Sequence, residues 1–212
     1  MGRVWRNRYC FGGVSTVPRK KSVKGAARAF QARVDALDAL YDAVLASPLS
    51  DQQITWAVEA GLIKLSAHFE QLVLHALVGA INNDTTLLTS TTGVAFPKHL
   101  TDEVCEFLVV GSEYFDFRGR DGLIKKLKDY LPATHYLVVA ASRPAYRQPL
   151  ERMFALRNFA AHESPKSKAK ARESTGANMS AAGAWLKRQG RFKDITGPLR
   201  RLAAEIEAGA PY

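Results

Sequence analysis

Apolar residues recur at intervals of three and four along much of this chain, the spacing that places them on one face of an α-helix. The run between residues 22 and 46 predicts a first helix with apolar positions at Ala26, Phe30, Val34, Leu37, Tyr41, Val44 and Leu45. Ser50 and Gln53 form a capping-box pattern, which predicts that a second helix begins there and continues to about Ile81. Gly61 predicts a kink or break in it, and the apolar stretch over 62–81 predicts the central, most buried helix.

The next part of the chain predicts shorter elements. Residues 82–97 are polar and β-branched with Gly and Pro, which predicts a loop. Thr101 is the expected cap of a short helix over 101–110. Residues 118–122 predict a turn, after which Asp121 is expected to cap a helix to about Leu131. Residues 135–142 fit either a helix or a strand.

The last third of the chain predicts three helices and a loop. Pro144 or Pro149 begins a helix that ends by Ser164, because Pro165 follows. Residues 165–178 are rich in Lys, Ser and Ala and predict a mobile basic loop. Two carboxy-terminal helices are expected over 180–189 and 197–208.

These elements together predict an all-α fold. Residues 1–21 are expected to form a basic amino-terminal arm, either irregular or a short β-hairpin around Gly12. Residues 22–212 are expected to form a single helical domain that includes the basic loop and the two last helices.

The charge balance indicates the kind of partner. The chain has 30 Lys and Arg against 20 Asp and Glu, a formal net charge of +10 at pH 7, and nucleic acids are the commonest polyanions that a cytoplasmic chain meets. A solvated surface that only keeps the chain soluble is the alternative. From residue 1 to 34 the chain has basic residues and no acid, and the later clusters supply the candidate RNA-binding residues Arg118, Arg120, Lys125, Lys166, Lys168, Lys170 and Arg172.

Other features exclude several classes of protein. No run of about eighteen apolar residues occurs, so we expect no membrane span, and the first residues lack the apolar region of a secretory signal. The two cysteines, Cys10 and Cys105, are too few for a disulfide framework or a metal site. We therefore expect a cytoplasmic protein without a metal or a cofactor.

The segment "LRNFAAH" carries the candidate chemistry at the end of a predicted helix. Asn158 and His162 are four residues apart and share a face, whereas Arg157 and His162 are about 140° apart around the helix. Arg157 and His162 therefore converge only if the helix end packs against something that both reach. A second copy of the same helix would satisfy this, so we expect a homodimer with a two-fold interface.

These residue types suit RNA cleavage by the RNA's own 2′-hydroxyl. That reaction needs a base, an acid and positive charge beside the phosphate. His162 is the candidate acid or base, because histidine titrates near neutral pH. Arg157 is the candidate phosphate ligand and Asn158 the orienting residue. Glu70, in the apolar central helix, is either a partner of Arg157 or a partly exposed carboxylate.

The same segment resembles the R-x4-6-H motif of the HEPN superfamily (higher eukaryotes and prokaryotes nucleotide-binding), in which a polar residue usually follows the Arg. The resemblance covers about residues 25–164. It implies a metal-independent endoribonuclease with a composite dimeric site, a toxin or phage-defence effector that cuts tRNA or mRNA, with an antitoxin or regulatory protein as a possible partner. The Tyr that often lies three residues beyond the His in partner-silenced members is absent here.

Two other interpretations of the segment stay open. One is a non-catalytic helical module that binds nucleic acid or a partner protein. The other is a surface Arg with a terminal His that interacts favourably with the helix dipole.

Overall fold

All regular structure in the described part of the chain is helical, which confirms the predicted all-α fold. The computed structural model describes residues 21–98, 100–111, 115–188 and 190–211. The predicted amino-terminal arm, with Cys10, lies outside these residues except for Lys21. The helices are α1 (Val23–Leu45), α2 (Asp51–Asn83), α3 (Thr86–Thr92), α4 (Asp102–Val110), α5 (Gly119–Lys128), α6 (Tyr136–Ser142), α7 (Arg147–His162), α8 (Pro165–Thr175), α9 (Ala182–Leu186) and α10 (Lys193–Gly209), with a 3-10 turn, Pro144–Tyr146, before α7.

Side-chain caps begin the two longest helices. Ser22 Oγ accepts a hydrogen bond from the Gly25 backbone N–H, and Ser50 and Gln53 form the predicted capping box. Helix α2 contacts α1, α4, α7 and α9, so it is the central helix, as predicted. It continues through Gly61, so the predicted break does not occur; a helix tolerates one Gly at about 1 kcal/mol when tertiary packing holds it. Within the described ranges, no helix is both long and apolar enough to cross a lipid bilayer.

An aromatic cluster fixes the middle of α7 against α2. The Phe154 ring lies 6.4 Å from the Phe69 ring of α2 and 5.6 Å from the Phe117 ring, measured between centroids. Both pairs are edge-to-face, an arrangement that aromatic rings favour. Phe154 lies three residues before Arg157, so this cluster determines where the candidate site stands on the bundle.

The predicted loop over 165–178 is wrong, because its first eleven residues form α8. Ser164 Oγ accepts a hydrogen bond from the Ser167 N–H at 3.2 Å, and Pro165 occupies the first turn. Pro is favourable there, and Ala and Lys have high helix propensity. The helix packs along α7, yet Ala171 is its buried residue. The segment resembles a loop in composition because only one of its residues is fully buried.

Several other boundaries differ from their predictions. The predicted loop over 82–97 contains α3, and the ambiguous residues 135–142 form α6, with the His135 ring accepting from the Leu137 N–H. Helix α5 begins at Gly119, so Asp121 lies in its first turn and is not the cap. Helix α9 is shorter than predicted, whereas α10 begins at Lys193, four residues early, and takes Pro198 inside it.

A close backbone approach attaches α9 to α2. Glu59 Oε1 on α2 accepts a hydrogen bond from the Gly183 N–H at 2.9 Å. A Cβ at position 183 would overlap the Thr55 carbonyl oxygen and lie 3.0 Å from Glu59 Cγ. Only Gly therefore fits between α9 and the backbone of α2.

We predict that Gly183→Ala lowers the free energy of unfolding by about 1–3 kcal/mol, because the added methyl group forces α9 away from α2. Urea unfolding followed by circular dichroism measures this change. Gly61→Ala is the matched control, because a Cβ there meets no atom within 4 Å; it should be neutral or stabilising by up to about 1 kcal/mol. Equal stability of Gly183→Ala and the wild type would contradict the close contact.

Candidate functional site

Arg157 and Asn158 form a hydrogen-bonded pair near the end of α7. Arg157 Nη1 donates to Asn158 Oδ1 at 3.1 Å. Arg157 is half-buried, and its buried Nε makes no hydrogen bond within the described part of the chain. The bond to Asn158 therefore orients the guanidinium towards the exposed side of α7.

His162 is the last residue of α7 and is exposed. Asn158, one turn earlier, is also exposed, and the four-residue spacing places the two on one face. Among the described residues, His162 has no hydrogen bond or ion pair. Asn158 therefore lies between the two other residues of the motif: it bonds to Arg157 and shares a face of α7 with His162.

Glu70 of α2 lies within electrostatic reach of Arg157. Burial raises the pKa of the Glu70 carboxyl, the positive charge of Arg157 lowers it, and the negative charge of Asp116 raises it. No direct ion pair joins Glu70 and Arg157 within the described residues. The charges of Glu70 and Arg157 therefore interact without direct contact, in a half-buried region where solvent screens them weakly. Asp116 is a member of this group that the sequence pattern did not single out.

The four basic residues after the motif are held on α8. Lys166, Lys170 and Arg172 are exposed, and Lys168 Nζ lies 5.9 Å from the centre of the Phe159 ring. In a helix, Lys166 and Lys170 share one stripe, and Lys168 and Arg172 form another about 200° away. The helix thus divides these charges between its two flanks, whereas a loop would leave them free to converge on His162.

The three basic candidates at α5 differ in the partners that the fold gives them. The Arg120 side chain is only 11% exposed, and its Nη2 donates to the Ser142 carbonyl oxygen at 2.5 Å. It therefore joins α5 to the end of α6. Lys125 Nζ lies 3.3 Å from the Asp129 carboxylate one turn later. Arg118 is exposed at the start of α5 and has no carboxylate partner in the described part of the chain.

The other histidines in the described part of the chain lie on α2 and at the start of α6. His68 and His75 are both on α2; burial lowers the pKa of each, and the charges of Arg33 and Lys21 respectively lower them further. Across the ranges that the structure describes, no group of three His, Cys, Asp or Glu side chains is placed to hold a metal ion. Cys105 is buried, as the sequence predicts.

Comparison with known proteins finds no matching family model, no matching curated protein and no matching solved structure. Any function assigned to this chain therefore depends on its own side chains and their geometry.

We predict that Arg157→Ala raises the pKa of Glu70, because it removes the positive charge that stabilises the carboxylate. Because the pKa of the Glu70 carboxyl is raised in the folded state, this group stabilises the fold at a pH below its unfolded-state pKa. That stabilisation is lost as the pH rises through the folded-state pKa. In Arg157→Ala, that loss should therefore extend to higher pH. Titration of the Glu70 carboxyl carbon by NMR measures the shift directly.

Arg147→Ala is the matched control for this titration. Arg147 lies at the other end of α7 and pairs with Glu151 at 3.0 Å, so its loss should leave the pKa of Glu70 unchanged. An unchanged Glu70 pKa in Arg157→Ala would show that the two charges do not interact.

Proposed function

We propose that this chain is a HEPN-like endoribonuclease that cleaves RNA through attack by the RNA's own 2′-hydroxyl. The observation that carries the proposal is the Arg157–Asn158 hydrogen bond beside the exposed, unpaired His162 at one helix end. The same proposal places the chain in the cytoplasm, as a toxin or phage-defence effector.

The proposed roles balance the reaction. The 2′-oxygen forms a bond to phosphorus, and the bond from phosphorus to the 5′-oxygen breaks. One histidine takes the 2′-hydroxyl proton, and another gives a proton to the leaving 5′-oxygen. Arg157 donates two hydrogen bonds to the phosphate oxygens, where negative charge develops, and Asn158 orients Arg157. The products carry a 2′,3′-cyclic phosphate and a 5′-hydroxyl.

A homodimer supplies the second histidine. His162 is the one exposed histidine at the motif, whereas the reaction uses both an acid and a base. A two-fold axis beside the ends of two α7 helices would bring the two His162 side chains to one cleft, each with its own Arg157. His162 is exposed and free of partners in the described chain, which suits a residue that completes its site across an interface.

The basic surface supports RNA as the substrate. Helix α8 follows His162 after two residues and presents Lys166, Lys170 and Arg172 to solvent. Phosphate contacts of this kind give affinity without sequence preference. We propose tRNA or mRNA as the substrate class, and an antitoxin or regulatory protein as the partner that controls the enzyme.

We predict that His162→Ala lowers the rate of RNA cleavage by roughly 10²- to 10⁴-fold for each proton transfer it serves. Arg157→Ala should cause a similar loss, and Arg157→Lys should not restore the rate, because an ammonium group cannot fork onto two oxygens. Gel analysis of labelled RNA measures the rates, and mass spectrometry identifies the cyclic phosphate. Cleavage should proceed in chelator.

His68→Gln is the control for loss of a histidine and should cleave at the wild-type rate, because His68 lies on α2 beside Arg33. Wild-type activity of His162→Ala would refute the site. Cleavage that stops in chelator and returns with magnesium would refute the metal-independent mechanism. RNA that binds with its ends unchanged would favour the non-catalytic binding module.

We predict that activity falls as the square of the wild-type fraction when wild-type and His162→Ala chains are unfolded together and refolded. With equal amounts, about a quarter of the dimers hold two wild-type chains, so about a quarter of the activity should remain. Half of the activity would remain if each chain acted alone. His68→Gln mixed in the same way should leave the activity unchanged.

A further inference from the structure

We propose that Arg152, Arg188 and Arg191, gathered around Trp185, form a second phosphate-binding site that holds the RNA backbone away from the site of cleavage. The guanidinium carbon of Arg191 lies 4.5 Å from the centre of the Trp185 ring, and that of Arg152 lies 5.9 Å from it. Two guanidinium groups thus share one aromatic ring, an arrangement that holds them in place through cation–π attraction.

Backbone hydrogen bonds hold the three arginines together. Arg191 Nη1 donates to the Trp185 carbonyl oxygen at 3.3 Å, and the Arg188 backbone N–H donates to the same oxygen at 3.4 Å. Arg152 Nε donates to the Ser174 carbonyl oxygen near the end of α8, at 3.2 Å. The side chains of Arg152 and Arg191 are therefore largely oriented before a ligand arrives, which lowers the entropy lost on binding. Arg188 is held beside them by its backbone alone.

Trp185 itself is fixed by the attachment of α9 to α2. It is 5% exposed, and it lies between Gly183, which donates to Glu59, and Lys187, whose Nζ lies 2.5 Å from Asp51 Oδ1. The ring is too buried to stack on a base. The site therefore suits a phosphate group, which needs only the outward N–H donors of the arginines.

The charges around this site are unbalanced. The neighbouring lysines pair with acids, Lys187 with Asp51 and Lys193 with Asp42 at 2.8 Å. Arg152, Arg188 and Arg191 have no ion pair with a carboxylate in the described part of the chain. Burial lowers the pKa of Arg191, the charges of Arg188 and Arg152 lower it further, and the charge of Asp194 raises it. A bound anion would relieve this repulsion, and arginine forks match phosphate oxygens.

The position of the site points to an extended RNA, and in this respect the inference depends on the proposed function. Helix α8 begins just beyond His162, and Arg152 is bonded to Ser174 near its other end. Eleven helical residues span about 16 Å, so the arginine site and His162 lie at opposite ends of a helix that carries exposed basic residues. An RNA strand along α8 would contact both.

The test measures binding without cleavage. A fluorescein-labelled 2′-O-methyl oligouridylate cannot be cut by 2′-hydroxyl attack, and its anisotropy with the full chain gives the affinity at several salt concentrations. We expect Arg188→Gln/Arg191→Gln to weaken binding at least tenfold at low salt. The slope of log affinity against log salt should fall by about 0.7 for each lost phosphate contact.

Lys64→Gln/Arg201→Gln is the matched control, because it removes the same charge from two exposed residues that have no ion pair in the described chain. It should change the affinity less than twofold. Equal weakening by both double variants would overturn the inference, since only the overall charge would then matter. An unchanged affinity in Arg188→Gln/Arg191→Gln, or no binding by the wild type, would overturn it too.

Two further measurements separate this inference from the proposed function. If the wild type binds the oligonucleotide but cuts no RNA, the endoribonuclease proposal fails while the arginine site stands on its binding result.

Arg188 is exposed, and its side chain makes no hydrogen bond in the described residues. Arg188→Gln alone should thus fold like the wild type and weaken binding about threefold. On cleavable RNA it should raise KM and leave kcat unchanged; a fall in kcat alone would overturn the inference.

Discussion

The reversal of the chain at Glu163 is the constraint on which the candidate site depends. Glu163 has a φ angle of 46°, in the left-handed region. Its backbone N–H donates a hydrogen bond to the Phe159 carbonyl oxygen at 2.9 Å, which ends α7. That conformation costs a residue other than Gly roughly 1 kcal/mol. Ser164 then caps α8 at once. With only two residues between the helices, His162 is exposed at a sharp corner, and the basic helix has to return along α7.

Signals confined to neighbouring residues were readable from the sequence. Ser50 and Gln53 cap α2 as predicted, because a capping box involves only four consecutive residues. The start of α8 has the same kind of signal, Ser164 followed by Pro165, yet its lysine-rich composition is typical of a loop. A solvent-facing helix lacks the apolar periodicity on which the other predictions depended.

What the sequence could not supply was the partner of each charge. The motif itself was predictable, since Arg157 and Asn158 are adjacent and their bond is local. Arg120 was expected to face RNA, but the fold turns it onto a carbonyl group 22 residues away. No local sequence pattern identifies Arg152, because the packing of α9 is what brings Trp185 into contact with it. Long-range packing thus determines which basic side chains have a hydrogen-bond or ion-pair partner within the protein and which remain available to a ligand.

Helix α8 has a consequence for the timescale on which the molecule opens. One buried residue, Ala171, and contacts with α7 hold it down, so little apolar surface has to be exposed when it detaches. Its amide hydrogens should therefore exchange with solvent through local opening, well before those of α2 exchange through global unfolding. A polyanion that binds its basic flanks would favour the closed helix. Protection of these amides and ligand affinity are then two measures of one linked equilibrium.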